Sequence, residues 1–535
     1  MSQRTPSAEA ALTTGARRIM LCTVELPDGR FLRVATEPIE VATAANNTGE
    51  PYAYDPWLSG ITEFVEEVDV FNLEGTGALT QARIELVTPG VVLAELQAEW
   101  AHLSASTVEI AYIWPGEVWE DRVVLLAGTT QSLEMGVEGE AVTFSVEASP
   151  PATSATIGDD TRDLGDDWPA PLLDSLGATM TDLAGKKGVY VYGVVNSIPG
   201  YKIGIVAGSN RLVLANHHLV RTGGTYQVEV YQDGTSVGLF TVTNGTTAGG
   251  DPYAYTTHAT EFQADDGAYT WKSTYGGLPA ANGADRPALT AEGVVRRLLA
   301  DSGLAIDWRR SEAALQRLRS WSLGIYIDQE APAISVLRDR ILKHLPVVEL
   351  TSGTGLWLAW AEPHIAPIEG HLTVGQEILG RVGRMTTTDL DAVRNTFTIN
   401  YDRELSSGDY RGSVTVDADT NTLCYLSKQL LQSARRGDTG VRADEPIDCD
   451  ACQDEATARR IGNARASRLA LPRRIVEYEL AADAYWLGGA SVVMVTDPGF
   501  GLSKTRAVVT SISKVGAHTA VFETVDRTWM TREPA

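Results

Sequence analysis

The chain has 535 residues, which is enough for three or four domains. Its 44 Lys and Arg against 69 Asp and Glu give a net charge of −25, which excludes nucleic-acid binding through bulk charge. The composition, 44% hydrophobic and 21% charged, excludes general disorder. Four cysteines are too few for a disulfide framework and favour a reducing or neutral compartment.

Residues 1–17 are predicted to form a flexible N-terminal arm. This stretch is rich in Ser, Thr and Ala, and the basic pair Arg17 and Arg18 comes too late for a signal peptide. No apolar run in the chain approaches the roughly 20 residues that a bilayer requires. We therefore expect no membrane segment.

Residues 18–150 predict a β-rich domain, because apolar and polar residues alternate along most of its runs. A turn sequence at Leu26–Arg30 separates the first two strands. Residues 151–172 contain two Gly-Asp-Asp triplets and predict an acidic linker. Residues 173–287 predict a second β-rich domain with Gly-rich turns.

The pattern changes to helical spacing in residues 288–380, which predict a smaller α+β domain. Thr290 and Ser311 are the expected caps of the first two helices. A third helix is expected over residues 334–342, before Pro346.

Residues 381–535 predict a C-terminal β-rich domain that contains two helices, near 423–436 and 455–471. No sustained internal repeat is evident in the sequence. A weak repeat between the two β-rich ends of the chain stays open. The predicted fold class is α+β, mainly β, in several domains.

One sequence motif suggests a catalytic serine. Gly234–Gly238 matches the G-x-S-x-G nucleophile elbow around Ser236, and three histidines are close in sequence: His217, His218 and His258. The elbow needs a strand that leads into a helix. Here strand-like runs flank Gln232–Thr235 on both sides, so the sequence predicts a hairpin turn and no nucleophile.

Cys449 and Cys452 form a C-x-x-C motif, with Cys424 as a possible third metal ligand. Zinc and iron–sulfur sites usually need four soft or imidazole ligands at readable spacing, and no second C-x-x-C follows. We expect two reduced, metal-free thiols at the start of a helix. A metal site that includes Cys424 stays open as the alternative.

Two groups of carboxylates resemble calcium sites. Asp417, Asp419 and Asn421 match the first half of an EF-hand loop, but Thr422 and Lys428 stand where Gly and Glu are needed. Five aspartates of the linker are better explained as solvated: Asp159, Asp160, Asp163, Asp166 and Asp167. The turn at 497–501 lacks the pattern of a phosphate-binding loop.

A basic cluster lies on and after the last predicted helix. Its members are Arg459, Arg460, Arg465, Arg468, Arg473 and Arg474. In so acidic a chain, we expect these arginines to meet acidic surface within the chain or on a neighbouring subunit, rather than phosphate. The acidic segment Glu63–Asp69, which includes Glu66 and Glu67, is the candidate partner on a neighbouring subunit.

Several stretches carry a family resemblance. They are Leu26–Arg33 followed by Ala35–Pro38, Ala291–Leu299 leading into Ser302–Asp307, Leu318, Trp321 and Leu323–Tyr326, and finally Glu455–Arg460 and Trp486–Val493. In this order they resemble the tail-hub (baseplate hub) proteins of tailed bacteriophages and related tail-like particles. The resemblance covers most of the chain, with one local departure at Gly488-Gly489, where the family usually has Gly-Asp.

The resemblance implies a homotrimer with tail-tube-like β-barrel domains and a smaller α+β middle domain. Such a hub closes the distal tail tube and adapts its sixfold symmetry to a threefold tip. Its implied partners are a distal tail or tail tube protein above, a tail fibre, receptor-binding or cell-wall-degrading protein below, and the tape measure protein. DNA passes through the lumen without specific binding.

The family also implies a location at the tail tip of the virion, with assembly in the cytoplasm of the bacterial host. It implies a structural protein and not an enzyme, and we expect no catalytic residue, cofactor or metal. Two other classes stay open: a carbohydrate-binding β-module protein, and an esterase-like hydrolase that uses Ser236.

Overall fold

The structure, a computed structural model, describes residues 18–43, 51–68, 70–71, 81–87, 106–135, 141–148, 155–157, 190–196, 198–199, 201–206, 209–215, 219, 227–246, 252–258, 269–272, 290–304, 306–327, 329–352, 355–404, 408–434, 440–481, 484, 486–514 and 518–525. Strands dominate these residues, and the α-helices that the structure describes lie between 291 and 469. The predicted fold class, α+β and mainly β in several domains, is confirmed.

The N-terminal region forms a barrel-like sheet. Its strands are β1 (Ile19–Glu25), β2 (Phe31–Ala35), β3 (Ile39–Val41), β4 (Tyr52–Tyr54), β5 (Leu58–Glu67), β6 (Gln81–Val87), β7 (Thr107–Ile113), β8 (Val123–Met135) and β9 (Ala141–Ala148). The order in the main sheet is β2-β1-β7-β8-β9-β6-β5, and β3 and β4 pair with each other in a separate two-stranded sheet. Asp55, just before β5, bridges to Val34 of β2, which brings the two ends of the sheet together around an apolar core that includes Phe64, Ile84 and Phe144. We call this unit the N-barrel.

The middle of the chain begins with short strands and two small sheets. The strands are β10 (Thr156–Ile157), β11 (Tyr190–Gly193), β12 (Ile198–Pro199), β13 (Tyr201–Val206), β14 (Ser209–Ala215), β15 (Gln227–Gln232), β16 (Thr235–Thr241), β17 (Thr243–Thr246), β18 (Pro252–His258) and β19 (Tyr269–Lys272). The two sheets have the orders β12-β19-β15-β16 and β13-β14-β18-β17. Val230 and Trp271 are buried in a shared apolar core.

An α+β unit follows. It contains α1 (Ala291–Asp301), α2 (Trp308–Arg317), β20 (Gly324–Ile327), β21 (Ala331–Pro332), α3 (Ala333–Val336), β22 (Val347–Ser352) and β23 (Gly355–Trp360). Thr290 caps α1 as predicted, since its hydroxyl accepts from the N–H of Gly293 at 3.2 Å. The prediction for Ser311 is wrong: Asp307 caps α2, and Ser311 lies inside the helix with its hydroxyl donating to the Asp307 carbonyl. The β11–β20 and β10–β21 pairs tie this unit to the preceding strands.

The C-terminal region forms a second barrel-like sheet with a helical layer beside it. Its elements are β24 (Gly370–Thr373), β25 (Ile378–Arg381), β26 (Thr386–Thr387), β27 (Phe397–Arg403), β28 (Tyr410–Val416), α4 (Thr422–Ala434), β29 (Ile447–Asp448), α5 (Glu455–Leu469), β30 (Arg474–Leu480), β31 (Val492–Asp497), β32 (Leu502–Ser513) and β33 (Thr519–Thr524). The strand order is β24-β31-β32-β33-β30-β25. The two outermost strands, β24 and β25, are joined to each other by a short turn. This unit, the C-barrel, encloses an apolar core that includes Tyr478, Val495 and Phe522.

Candidate assembly interface

The two barrels contain the same five-stranded unit. Strands β5 to β9 follow one another along the chain. Strands β25, β30, β31, β32 and β33 come in the same order, with β26 to β29, α4 and α5 inserted between β25 and β30. Their orders in the sheet are β7-β8-β9-β6-β5 and β31-β32-β33-β30-β25, and every neighbouring pair is antiparallel. The internal repeat that the sequence conceals is therefore present in the fold.

The strand registers of the two units also agree. In the N-barrel, matched residues across four strands are Gly60, Glu85, Thr143 and Glu134. In the C-barrel, the corresponding residues are Gly380, Glu479, Thr519 and Ser513. The bulges match as well, at Leu58/Gly60 and Thr130/Ser132 in one unit and at Ile378/Gly380 and Val509/Ser511 in the other.

Backbone pairing joins the two barrels into one 14-stranded sheet. At this junction, which we call the internal joint, Glu67 of β5 lies opposite Ser511 of β32. The N–H of Val68 donates to the carbonyl of Thr510 at 2.8 Å. The Tyr112 hydroxyl adds a second link by donating to the Lys514 carbonyl at 2.5 Å.

The acidic segment Glu63–Asp69 therefore belongs to the internal joint through its backbone. Glu67 is exposed, whereas the apolar residues Phe64 and Val68 are buried. The side chains of Glu63, Glu66 and Asp69 lie outside the described residues. The backbone of this segment thus binds within the chain, where a contact with a neighbouring subunit was expected.

The basic cluster on α5 likewise has partners inside the chain. Arg459 pairs with Glu455 at 2.8 Å, Arg460 contacts the hydroxyl of Ser320 at 2.9 Å, Arg465 pairs with Asp444 at 3.4 Å, Arg468 donates to the carbonyl of Val70 at 3.3 Å, and Arg473 pairs with Glu523 at 2.7 Å. Arg468 is buried, and Arg473 also lies over the ring of Phe71. The sequence left open whether these arginines have partners within the chain or on a neighbouring subunit. For most of the cluster, acidic or polar partners are found within the chain.

The C-x-x-C motif precedes α5 and is buried between two strands. The N–H of Cys449 donates to the Asn400 carbonyl of β27 at 3.0 Å, and Cys452 bridges to Leu323 beside β20. Burial, and next a side-chain hydrogen bond with Cys452 that favours the protonated thiol, raise the pKa of Cys449 well above its usual range. Burial also raises the pKa of Cys424 to about 12.

Cys424 packs in a different apolar cluster from Cys449 and Cys452. Within the described ranges, no group of three or more His, Cys, Asp and Glu side chains is placed to hold a metal ion. The five linker aspartates, Asp159, Asp160, Asp163, Asp166 and Asp167, lie outside those ranges.

Ser236 is the second residue of β16, and Thr235 separates it from the turn at Asp233-Gly234. The predicted hairpin is confirmed: β15 pairs with β16, and Asp233 and Gly234 both have positive φ, at 49° and 82°. The Ser236 hydroxyl donates to the carboxylate of Glu229 at 3.0 Å. His258 packs edge-on against Phe240, while His217 and His218 lie outside the described residues.

The other predicted loop motifs are turns. Asp417 accepts from the N–H of Asp419 at 2.9 Å, and Asn421 caps α4 by accepting from the N–H of Leu423 at 2.8 Å. Asp497 accepts from the N–H of Gly499 at 2.8 Å, which closes the turn between β31 and β32. Among the described residues, no helix is long and apolar enough to cross a membrane.

No protein-family model matches the sequence, and neither does any curated protein. Among solved structures, the chain is similar to a tail protein from Neisseria meningitidis MC58, with a TM-score of 0.39 and 9% identity over 95% of this chain and 98% of that one. It is similar to a 43 kDa tail protein of prophage MuSo2 from Shewanella oneidensis, with a TM-score of 0.36 and 11% identity over 96% and 99% of the two chains. It is also similar to a chain in the virion of a native gene transfer agent particle, with a TM-score of 0.42 and 11% identity over 66% and 87%. All three are described as tail or virion proteins.

Proposed function

We propose that this chain is the tail hub of a bacteriophage or related tail-like particle. Three copies form a ring that closes the distal end of the tail tube and adapts a sixfold tube to a threefold tip. The proposal rests on the resemblance of the sequence to tail hubs and on one structural observation, the repeated barrel.

The repeat supports the proposal because it gives one chain two similar tube-like units. The N-barrel and the C-barrel share strand order and register, and the internal joint sets them side by side in one sheet. Three chains then supply six such units, which is the number that a sixfold tube presents. Closed cyclic assembly uses the same head-to-tail contact at every step.

The charge of the chain fits a channel that DNA crosses without binding. A net charge of −25 repels the phosphate backbone, so DNA that passes through an acidic lumen is not held there. In this proposal the hub contacts the tape measure protein, a distal tail or tail tube protein above, and a fibre, receptor-binding or cell-wall-degrading protein below. It acts at the tail tip of the virion after assembly in the host cytoplasm.

The proposed role is structural and includes no enzyme activity, cofactor or metal. Ser236, the nucleophile of the esterase alternative, lies in a strand and donates to a carboxylate. A carbohydrate-binding role has no specific contact in its favour among the described residues. The division of the chain into six segments, from the arm at 1–17 to the C-terminal region at 381–535, is part of this proposal.

The native mass of the purified chain, followed by imaging of the particle that contains it, tests the proposal. We expect a trimer, and in the particle a threefold ring with six barrel densities. A sixfold ring of this chain, or a monomer that binds glycans or cleaves esters, would overturn the hub assignment.

A further inference from the structure

The repeat assigns a counterpart to each side of the internal joint. One side is the end of β5. The first half of β5 matches β25, and its end matches β26 and the residue after it, because β25 and β26 pair in turn with β30 as β5 pairs with β6. The other side is the second half of β32, which matches the second half of β8. Both counterparts are strand segments of the same chain.

The strand registers identify the matching residues. Val65 lies opposite Gln81, four positions before the matched residue Glu85, and Thr386 lies opposite Ile475, four positions before the matched residue Glu479. Counting two residues on from Val65 and Thr386, Glu67 corresponds to Thr388. On the other side, Ser511 and Ser132 are each the first paired residue after the same bulge. The internal pair of Glu67 with Ser511 therefore corresponds to Thr388 and Ser132.

Both counterpart edges are suited to pairing. Gln131, Ser132 and Thr387 are exposed. In the described part of the chain, no strand pairs with residues 131–135 on the side opposite β9, or with 386–389 on the side opposite β30. β22 approaches β8 but pairs only with β23. Neither edge contains proline, so neither lacks a backbone donor, although the N–H of Thr388 is already used within the chain by the Arg473 carbonyl at 2.8 Å.

We propose that a second copy of this chain occupies these edges, with Thr388 of one copy opposite Ser132 of the next. The N–H of Asp389 then donates to the carbonyl of Gln131 across the copies, as Val68 donates to Thr510 within one chain. This interaction, which we call the external joint, continues the sheet from copy to copy by strand addition. Each copy offers one edge of each kind, so the contact is heterologous, and with the three copies of the proposed hub it closes into a ring.

The external joint rests on the proposed function for the number of copies, and it adds the residues that meet. The strand segments of the external joint are short and offer few backbone hydrogen bonds, and the same is true of the internal joint. The association therefore also depends on packing between the barrels, and salt has less effect on it than on a contact made of ion pairs.

Cysteine cross-linking of the full-length chain tests the external joint. Directly opposite residues of an antiparallel pair have Cα atoms about 4.5–5.5 Å apart, which is within disulfide range. We expect Ser132→Cys with Thr388→Cys in one chain to give disulfide-linked dimers and trimers under mild oxidation. Each single variant is expected to stay a monomer on a non-reducing gel. The native cysteines are all buried, so they contribute no background.

The internal joint provides a matched control. Glu67→Cys with Ser511→Cys is expected to close a disulfide within one chain, which shows that the register itself permits cross-linking. The melting temperatures of the reduced variants show whether each one folds.

The outcomes separate the two proposals. A trimer whose Ser132 and Thr388 cysteines do not link, while the control pair does, overturns the external joint and leaves the hub standing. A disulfide formed within one chain by the Ser132 and Thr388 cysteines also overturns it. A chain that is monomeric at every protein concentration measured overturns both the external joint and the trimeric hub.

Discussion

Gly60 and Gly380 occupy the same position in the two barrels. Gly60 follows a bulge in β5, and Gly380 follows a bulge in the matching strand β25. Each lies opposite a glutamate, Glu85 or Glu479. A bulge bends its strand and increases the local twist, which helps a sheet to curve towards a barrel. The two halves of the chain thus use one device to bend equivalent strands, although their sequences show no evident repeat.

The first prediction concerns Asp497, which is fully buried at the end of β31. Its carboxylate accepts from Arg381 Nε at 2.8 Å and from the Tyr478 hydroxyl at 2.9 Å. Asp497→Asn removes a charge that these donors stabilise, and we expect it to lower the free energy of unfolding by about 2 kcal/mol. Urea denaturation at pH 7 measures the change, and Asp391→Asn at an exposed carboxylate is the control, expected to lie within about 0.5 kcal/mol of wild type.

The same carboxylate predicts a pH dependence. The hydrogen bond from Arg381 holds the pKa of Asp497 at about 2, against roughly 3.9 for an unfolded aspartate. Its contribution to stability is therefore complete above about pH 4 and is lost as the pH falls through about 2. We expect the wild type and Asp497→Asn to converge in stability at the acid end of this window, and a constant difference from pH 7 to pH 2 would contradict this origin.

Local features of the fold were predictable from the sequence because their causes are local. The cap at Thr290 and the turn at Asp233-Gly234 each depend on a few neighbouring residues. Ser311 failed as a cap because Asp307, four residues earlier, caps the same helix by accepting from the N–H of Arg310. The pairing of Glu67 with Ser511 spans most of the chain, and no local pattern encodes it.

The proposed assembly surface could not be predicted from the sequence for a related reason. The charges of α5 and of Glu63–Asp69 suggested an interface, but formal charge does not show which partners lie within the chain. The strand edges at Ser132 and Thr388 have short polar side chains that carry no signal in the sequence. Only the matched registers of the two barrels identify them.

The second prediction is that all four cysteines are unreactive in the native protein. Burial raises the pKa of Cys22 and Cys424 to about 12, so their thiolate fraction near pH 8 is very small. We expect no reaction with a thiol reagent before unfolding and four thiols per chain in denaturant. The proposal that Cys449 and Cys452 hold no metal is separate, and elemental analysis that finds zinc or iron bound to the protein would reject it.

The third prediction is that Ser236→Ala leaves both stability and assembly unchanged. The hydroxyl is exposed and makes one hydrogen bond, to Glu229, so its loss costs little. Melting temperature and native mass check this expectation. Loss of a measurable ester hydrolysis in the variant would instead make Ser236 a nucleophile and revive the hydrolase alternative.

The fourth prediction concerns Gly324, where β20 lies against the backbone that follows β11. A Cβ atom at this position would lie 1.9 Å from the carbonyl oxygen of Val194, so the two segments must separate to accept it. We expect Gly324→Ala to lower the free energy of unfolding by about 2 kcal/mol. Gly383→Ala is the control, because a Cβ there meets no atom within 4 Å and φ is not positive. Equal melting temperatures for the two variants would show that β11 and β20 do not approach so closely.

The last prediction separates two arginines of α5 by their surroundings. Arg465 is largely buried and pairs with Asp444 at 3.4 Å, whereas Arg459 is exposed and pairs with Glu455 one helical turn away. Arg465→Glu brings two carboxylates together where water is scarce, and we expect a loss of about 3 kcal/mol in the free energy of unfolding. Arg459→Glu breaks only a solvated pair, for which we expect a loss of about 0.5 kcal/mol.

Native mass measured on the same two variants shows whether α5 contacts a neighbouring subunit. We expect Arg459→Glu to keep the mass of the wild type at both low and high salt, because its partner lies within the same helix. Arg465→Glu is expected to alter the mass only under conditions where its fold is lost. A folded Arg459→Glu chain that dissociates at low salt would place α5 at the subunit contact, since screening by salt affects exposed charges most. It would also restore the electrostatic interface that the sequence first suggested.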